Sequence, residues 1–228
     1  MAKVLILSDR FPSSHPKKSH PTNFLDMFLN GLKENGVFDE EYINTQFDRI
    51  YSDPLFRHYR GWVEDSYTRS KKTKLHTIRN GTNRKLGEML SPRLWYNLPY
   101  KKPGTVVICD DLPIRQLYGI HIQKIVNTLK VEITGTSKSL NFEVLINIPK
   151  WQGEYGINTM EMTSQSLYRT GEPLFDKLCS LDGLNQIDLH NWFIPIKKIR
   201  GKSNVNNHFE FRGQIISFID SDFYGLNV

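Results

Sequence analysis

Four side chains with chemical uses fall inside K-L-H-T-I-R, residues 74–79: the ammonium of Lys74, the imidazole of His76, the hydroxyl of Thr77 and the guanidinium of Arg79. A Gly87-Glu88 pair follows before the apolar residues resume. An ammonium beside a hydroxyl can hold an oxyanion or, when desolvated and neutral, take the hydroxyl proton as a general base. That is the chemistry of acyl or phosphoryl transfer. Alternation along a strand sends Thr77 and Arg79 to one face and His76, with Lys74, to the other. Lys74 meets Thr77 only if the strand begins after Lys74 and its side chain approaches from the preceding turn. The alternative is a charged edge strand that its lysines keep soluble.

Further along, Arg79, Arg84, Lys85 and Arg93 stand near Trp95, Tyr96 and Tyr100. Cations for phosphates and rings on which bases stack make up a single-strand binding platform, although burial of Trp95 in a core fits the pattern equally well. The loop H-P-K-K-S-H, residues 15–20, offers two histidines with no acid or cysteine beside them, a poor metal set, and reads as solvated. Asp110-Asp111 reads as a turn, because adjacent strand residues point apart, and not as a Mg²⁺ site with Asp182 and Asp188. His190 reads as an exposed helix residue. Neither a metal nor another cofactor is expected.

The elements that must position these groups follow from periodicity. K-V-L-I-L-S is a buried strand, and Thr22 caps a helix carrying Phe24, Met27, Phe28 and Leu32 that ends at Gly36. The aromatic-rich stretch from Asp39 to Ser70 suggests short outer helices. H-T-I-R, T-V-V-I-C, the long run from Ile122 to Thr134 and F-E-V-L-I-N-I are strands, giving a small, mostly antiparallel sheet or barrel. P-L-F-D-K-L-C-S-L-D-G-L and N-Q-I-D-L-H-N-W-F are helical pieces, and G-Q-I-I-S-F-I-D is a closing strand.

The bulk figures bound the class. A chain of 228 residues, 39% hydrophobic and 12% aromatic, is long enough for one globular domain over 1–228. Its 30 Lys and Arg against 24 Asp and Glu give +6, which suits a polyanionic partner. No apolar run reaches the length of a membrane span, and Asp9 and Arg10 interrupt the start too early for a signal-peptide core, so a cytoplasmic protein with no membrane partner is expected. Cys109 and Cys179 are too isolated for a zinc knuckle or a disulfide framework, and read as small buried hydrophobes.

Lys74-Leu75-His76-Thr77-Ile78-Arg79 followed by Gly87-Glu88 resembles the K-x-x-T-x-R…G-[DE] signature that opens the barrel of ASCH domains, relatives of the PUA-like RNA-binding fold. L-D-G-L-N-Q-I-D-L-H-N-W-F, residues 181–193, and F-R-G-Q-I-I-S-F-I-D are similar to that family's acidic helix and last strand. The resemblance covers about 71–109 and 174–220, and the opening F-P-x-x-H-P…P-T-x-F is similar to that of longer phage and Bacteroidetes-like relatives. It implies an α+β domain on a small β-barrel, elaborated at the N-terminus over about 1–70 and by an insertion over about 149–173. In relatives that hydrolyse N(4)-acetylcytidine, a Lys, a Thr three residues on and a distant acid form the site. Those positions fall on Lys74, Thr77 and Asp182, with Asp where those enzymes carry Glu. A carboxylate shorter by a methylene sits about 1.5 Å further back, and about an ångström of misplacement can cost a hundredfold in rate. Other members resemble nucleases acting on single-stranded RNA, and some only bind RNA. The implied ligand is thus single-stranded RNA, a nucleoside or a nucleotide, with His76, Arg79, Arg84, Lys85, Arg93 and Trp95 binding it, and the alternative is a non-catalytic binding or phage regulatory module.

Overall fold

The computed structural model describes residues 2–12, 15–17, 20–56, 69–96, 102–125, 128–145, 173–193, 197–199, 202–204 and 208–227. The expected insertion lies mostly outside these residues, as do Tyr100 and most of the aromatic stretch after Phe56.

The protein is α+β with mostly antiparallel sheets. A five-stranded antiparallel sheet runs in the order β2 (Thr77–Asn80), β11 (His208–Ser217), β6 (Gln116–Ile125), β7 (Thr128–Thr134), β8 (Ser139–Leu145). A second sheet pairs β1 (Lys3–Ile6) in parallel with β3 (Met89–Trp95), which is also bonded to β4 (Thr105–Val107) and β5 (Leu112–Pro113). A small hairpin joins β9 (Lys197–Ile199) to β10 (Lys202–Asn204). Among the described residues the sheets are open and no closed barrel forms. Four helices are described: α1 (Phe24–Glu34), α2 (Glu40–Tyr51), α3 (Pro173–Leu181) and α4 (Gln186–Phe193).

Three expectations change in detail. The run from Ile122 to Thr134 is two strands of a hairpin, with Ile125 paired to Thr128, because its apolar positions serve two strands that bury the same face. R-L-W-Y is mostly strand: Arg93, Leu94 and Trp95 end β3, with Leu94 buried in a core and Arg93 and Trp95 half-buried on the opposite face. Asn23, not Thr22, is the N-cap of α1; the Thr22 hydroxyl accepts from the Phe24 N–H and donates to the Ser8 carbonyl.

Two hydrophobic cores result. One lies between the five-stranded sheet, α3 and α4, and the other joins the β1–β3–β4 sheet to α2. Helix α1 serves both, sending Phe24 and Met27 to the first and Leu25, Phe28, Leu29 and Leu32 to the second. β11 does the same by strand alternation, with Ile215 in the first core and Ile216 in the second. The chemically interesting residues lie where α1, β2 and the end of α3 meet.

Candidate functional site

Helix α3 ends in a Schellman turn: the Leu184 N–H donates to the Cys179 carbonyl and the Gly183 N–H to the Ser180 carbonyl, with Gly183 at φ +74°. This fixes Asp182 as the last residue of the turn. The segment before β2 runs across that helix end. Leu75 N–H and His76 N–H both donate to the Leu181 carbonyl, and the Lys74 ammonium donates to the Asp182 carbonyl. Residues 74–76 thereby satisfy helix-end carbonyls that would otherwise be orphaned, and the cation sits where the helix dipole favours it.

The same ammonium bonds the Asp182 carboxylate, Nζ to Oδ1 at 2.7 Å, across 108 residues of chain. The two side chains are 1% and 6% exposed. The Phe24 ring lies 4.2 Å from Nζ and supplies a cation–π contact. On the same side, His76 Nδ1 is 3.5 Å from Asp182 Oδ1, and Nε2 is 3.0 Å from the Tyr224 hydroxyl. A buried chain of ammonium, carboxylate, imidazole and phenol results. Its titration follows from burial and charge. Desolvation pulls Lys74 down to about 8 against the pull of Asp182. Burial also lowers His76. Burial would raise Asp182, but Lys74 and His76 outweigh it and hold the carboxyl below its ordinary value.

Thr77 goes the other way. It is the first residue of β2 and lies opposite Ile216, so its side chain shares the face of the second core. It is buried, and its hydroxyl is bonded to neither Lys74 nor Asp182. Lys74 does precede the strand, yet its side chain turns with His76 toward Asp182.

The cationic candidates hold the fold together. In β1 the odd residues face β3, as the Leu7 N–H to Arg93 carbonyl bond marks, so the carbonyls of Val4 and Ile6 face the open edge. Arg79 Nη2 donates to Ile6 O at 2.7 Å, and Arg84 Nη2 reaches Val4 O at 3.5 Å. These two guanidiniums cover the edge of β1 and link the two sheets. Arg79 is buried enough for its pKa to fall to about 10. Arg84 and Lys85 also hold Glu88, through a 3.5 Å ion pair and a backbone N–H, and Arg93 bonds Ser91 at 3.4 Å. Arg84 and Lys85 follow the C-terminal end of β2 while Lys74 precedes its N-terminal end, and Arg93 and Trp95 belong to the other sheet. These four do not join the Lys74–Asp182 cluster.

A cleft of about 1290 Å³ opens beside that cluster, walled by α1 and residues 70–73 on one side and by the α3–α4 turn on the other. Gly183 and Met27 form its floor over Lys74; a Cβ on Gly183 would come within 3.2 Å of Met27 Sδ and 3.4 Å of Lys74 Cβ. Lys71 and Lys72 line it, and Phe11 and Lys17 line the end beside the loop that precedes α1.

That end was not legible as structure in the sequence. His15 is not on a solvated loop. It is 2% exposed, stacked on Phe11 at 4.4 Å and bonded to Asp188 of α4. His190 is likewise not an exposed helix residue; it is half-buried, and burial pushes it down to about 4, with the Lys124 charge adding to the shift. No local spacing marked either burial, because the loop and α4 meet only in the folded chain. Among the described residues no cluster of three His, Cys, Asp or Glu could hold a metal ion, and no helix is long and apolar enough to cross a membrane. Both cysteines are free and buried, and burial raises their thiols, Cys109 to about 12.

Compared with protein-family models, with curated proteins and with solved structures, the chain matches none.

Proposed function

We propose that the protein is an ASCH-like module that binds a nucleoside or a short single-stranded RNA in the cleft above Lys74, and that Lys74 and Asp182 form an acid–base pair for hydrolysis of a modified nucleoside amide. The convergence of Lys74, His76 and Asp182 beneath the floor of that cleft supports it most. In this scheme a neutral Lys74 takes a proton from water as its oxygen bonds the amide carbon; the C–N bond then breaks, and the proton passes to the departing amine. Asp182 orients the ammonium so formed, and His76, tied to Tyr224, orients Asp182. Thr77 stands across the strand and takes no part. The five-stranded sheet is, on this assignment, the counterpart of the family's barrel strands.

A second reading, a binding module without chemistry, is favoured by one observation: the Lys74 side chain is 1% exposed and its bonds go to Asp182, so the pair also suffices as a clamp between α3 and β2. The two separate in one set of assays. Purified protein is titrated with cytidine, N(4)-acetylcytidine and a single-stranded RNA oligomer, and acetate release is followed. Turnover that disappears in Lys74→Met and Asp182→Asn, both shown folded by circular dichroism, supports the enzyme. Binding with a steep salt dependence and no turnover supports the module. Absence of binding to all three ligands overturns both.

A further inference from the structure

The cleft is lined in part by Phe11, Lys17 and His20 of a loop whose two ends are held together: Arg10 bridges Pro21, Phe11 N–H donates to the His20 carbonyl, and Thr22 N–H to the Asp9 carbonyl. Its tip rests on α4 through His15. Both ring nitrogens of His15 are committed, and to opposite roles. Nδ1 accepts the Lys17 backbone N–H at 3.0 Å, so it carries no proton. Nε2 lies 3.3 Å from the Asp188 carbonyl, which can only accept, so Nε2 carries the proton. The geometry therefore defines one neutral tautomer, and an imidazolium cannot make both bonds.

We propose that this loop is a proton-operated strap, shut across the end of the cleft while His15 is neutral and released when His15 Nδ1 takes a proton. A proton there sets two N–H groups against each other and ejects the Lys17 amide. It also adds a positive charge to a ring stacked on Phe11 and tilted 58° to Trp192 at 6.4 Å, 2% exposed to water. The charged groups facing the ring are Asp188, on α4, and Lys17, on the strap. Asp188 Oδ1 is 3.7 Å from Nε2, has no hydrogen bond of its own, and attracts an imidazolium. Its other oxygen is held by Lys17 Nζ at 2.9 Å, which offsets that attraction. Burial, with the Lys17 charge acting in the same direction, outweighs Asp188 and holds His15 below 6.5. Lys17, Phe11 and Asp188 all line the cleft, so release of the strap changes the cleft's end wall. The inference rests on the functional proposal above only in treating the cleft as the ligand site.

The strap is tested without any ligand, by hydrogen–deuterium exchange of the full chain between pH 7.5 and 5, corrected for intrinsic exchange, alongside an NMR titration of His15. One proton taken up on opening makes the opening constant of peptides spanning residues 11–17 rise by up to about tenfold per pH unit below 6.5. In His15→Gln, which retains a donor for the Asp188 carbonyl and has nothing to titrate, exchange is flat with pH, whether the strap sits shut or open. Protection that does not change with pH in the wild type, a His15 that titrates at its free value, or an unchanged transition in His15→Gln overturns the proposal. If the strap opens as expected and no nucleoside or RNA binds, only the functional proposal fails.

Discussion

Removing the Asp182 carboxylate strands a cation in a place that water does not reach. Lys74 and Asp182 side chains are 1% and 6% exposed and joined at 2.7 Å, and the remaining groups around Nζ are the Asp182 carbonyl and the Phe24 ring. Breaking a buried pair from one side costs about 3–5 kcal/mol, whereas replacing both members by apolar groups of similar volume is about neutral or stabilising. Asp182→Leu and Lys74→Met each therefore lose about 3–5 kcal/mol at pH 7, as does Asp182→Asn, and combining Lys74→Met with Asp182→Leu recovers most of the summed loss, a coupling of several kcal/mol. At about 2–4 °C per kcal/mol for a chain of this size, each single variant drops Tm by about 6–20 °C. A pH test sharpens the expectation. Lys74 is already held down to about 8 by burial, and without Asp182 it falls further below its unfolded value of 10.5. A lysine with a depressed folded pKa costs stability below that pKa, and the cost fades as pH rises toward the unfolded value. The stability of Asp182→Asn therefore rises with pH from below 7, and its deficit against wild type shrinks up to about pH 8, above which wild-type Lys74 also loses its proton and the two proteins gain alike. Urea unfolding monitored by circular dichroism gives all of these stabilities. Additive losses in the double variant, or an Asp182→Asn protein within about 1 kcal/mol of wild type, would refute the reasoning.

Other perturbations report on the surroundings of the site. His15, His76 and His190 are all held below 6.5, so the stability they contribute is complete above 6.5 and lost as pH falls; His190, pushed to about 4, accounts for up to about 3 kcal/mol of that loss, and His190→Gln flattens the acid limb of an unfolding-energy-against-pH curve accordingly. Gly31→Ala, which in an exposed helix would gain about 1 kcal/mol, instead lowers thermal stability by about 1–3 kcal/mol, because its Cβ would sit 2.6 Å from the Lys74 carbonyl oxygen. Arg79→Met leaves the Ile6 carbonyl without its donor and costs about 1.5–3 kcal/mol in chemical denaturation, a loss independent of any nucleic-acid affinity. Thr77→Val, facing Ile216 in the second core, leaves stability unchanged or raised and leaves any turnover intact; a loss of turnover would return the hydroxyl to the mechanism.

What the sequence determined by itself was set by local backbone geometry. Strand parity separates Thr77 and Arg79 from His76 and Lys74, and the structure keeps that separation, because a pleated chain has no other way to direct successive side chains. Helix α1, the two helical pieces α3 and α4 and the closing strand were legible from their apolar spacing and turn residues. Gly183, read only as part of a helical piece, proved to be the turn residue that lets the helix end pack on Lys74. Tertiary structure decided the rest. That Arg79 and Arg84 cover the carbonyls of β1 depends on two sheets meeting, which no local spacing encodes. That His15 is buried depends on α4, which begins 171 residues after it in the chain. Sequence pattern fixes which residues share a face, but the free energy of burying that face depends on the surface laid against it, and for Lys74, His15 and Thr77 those surfaces come from distant parts of the chain.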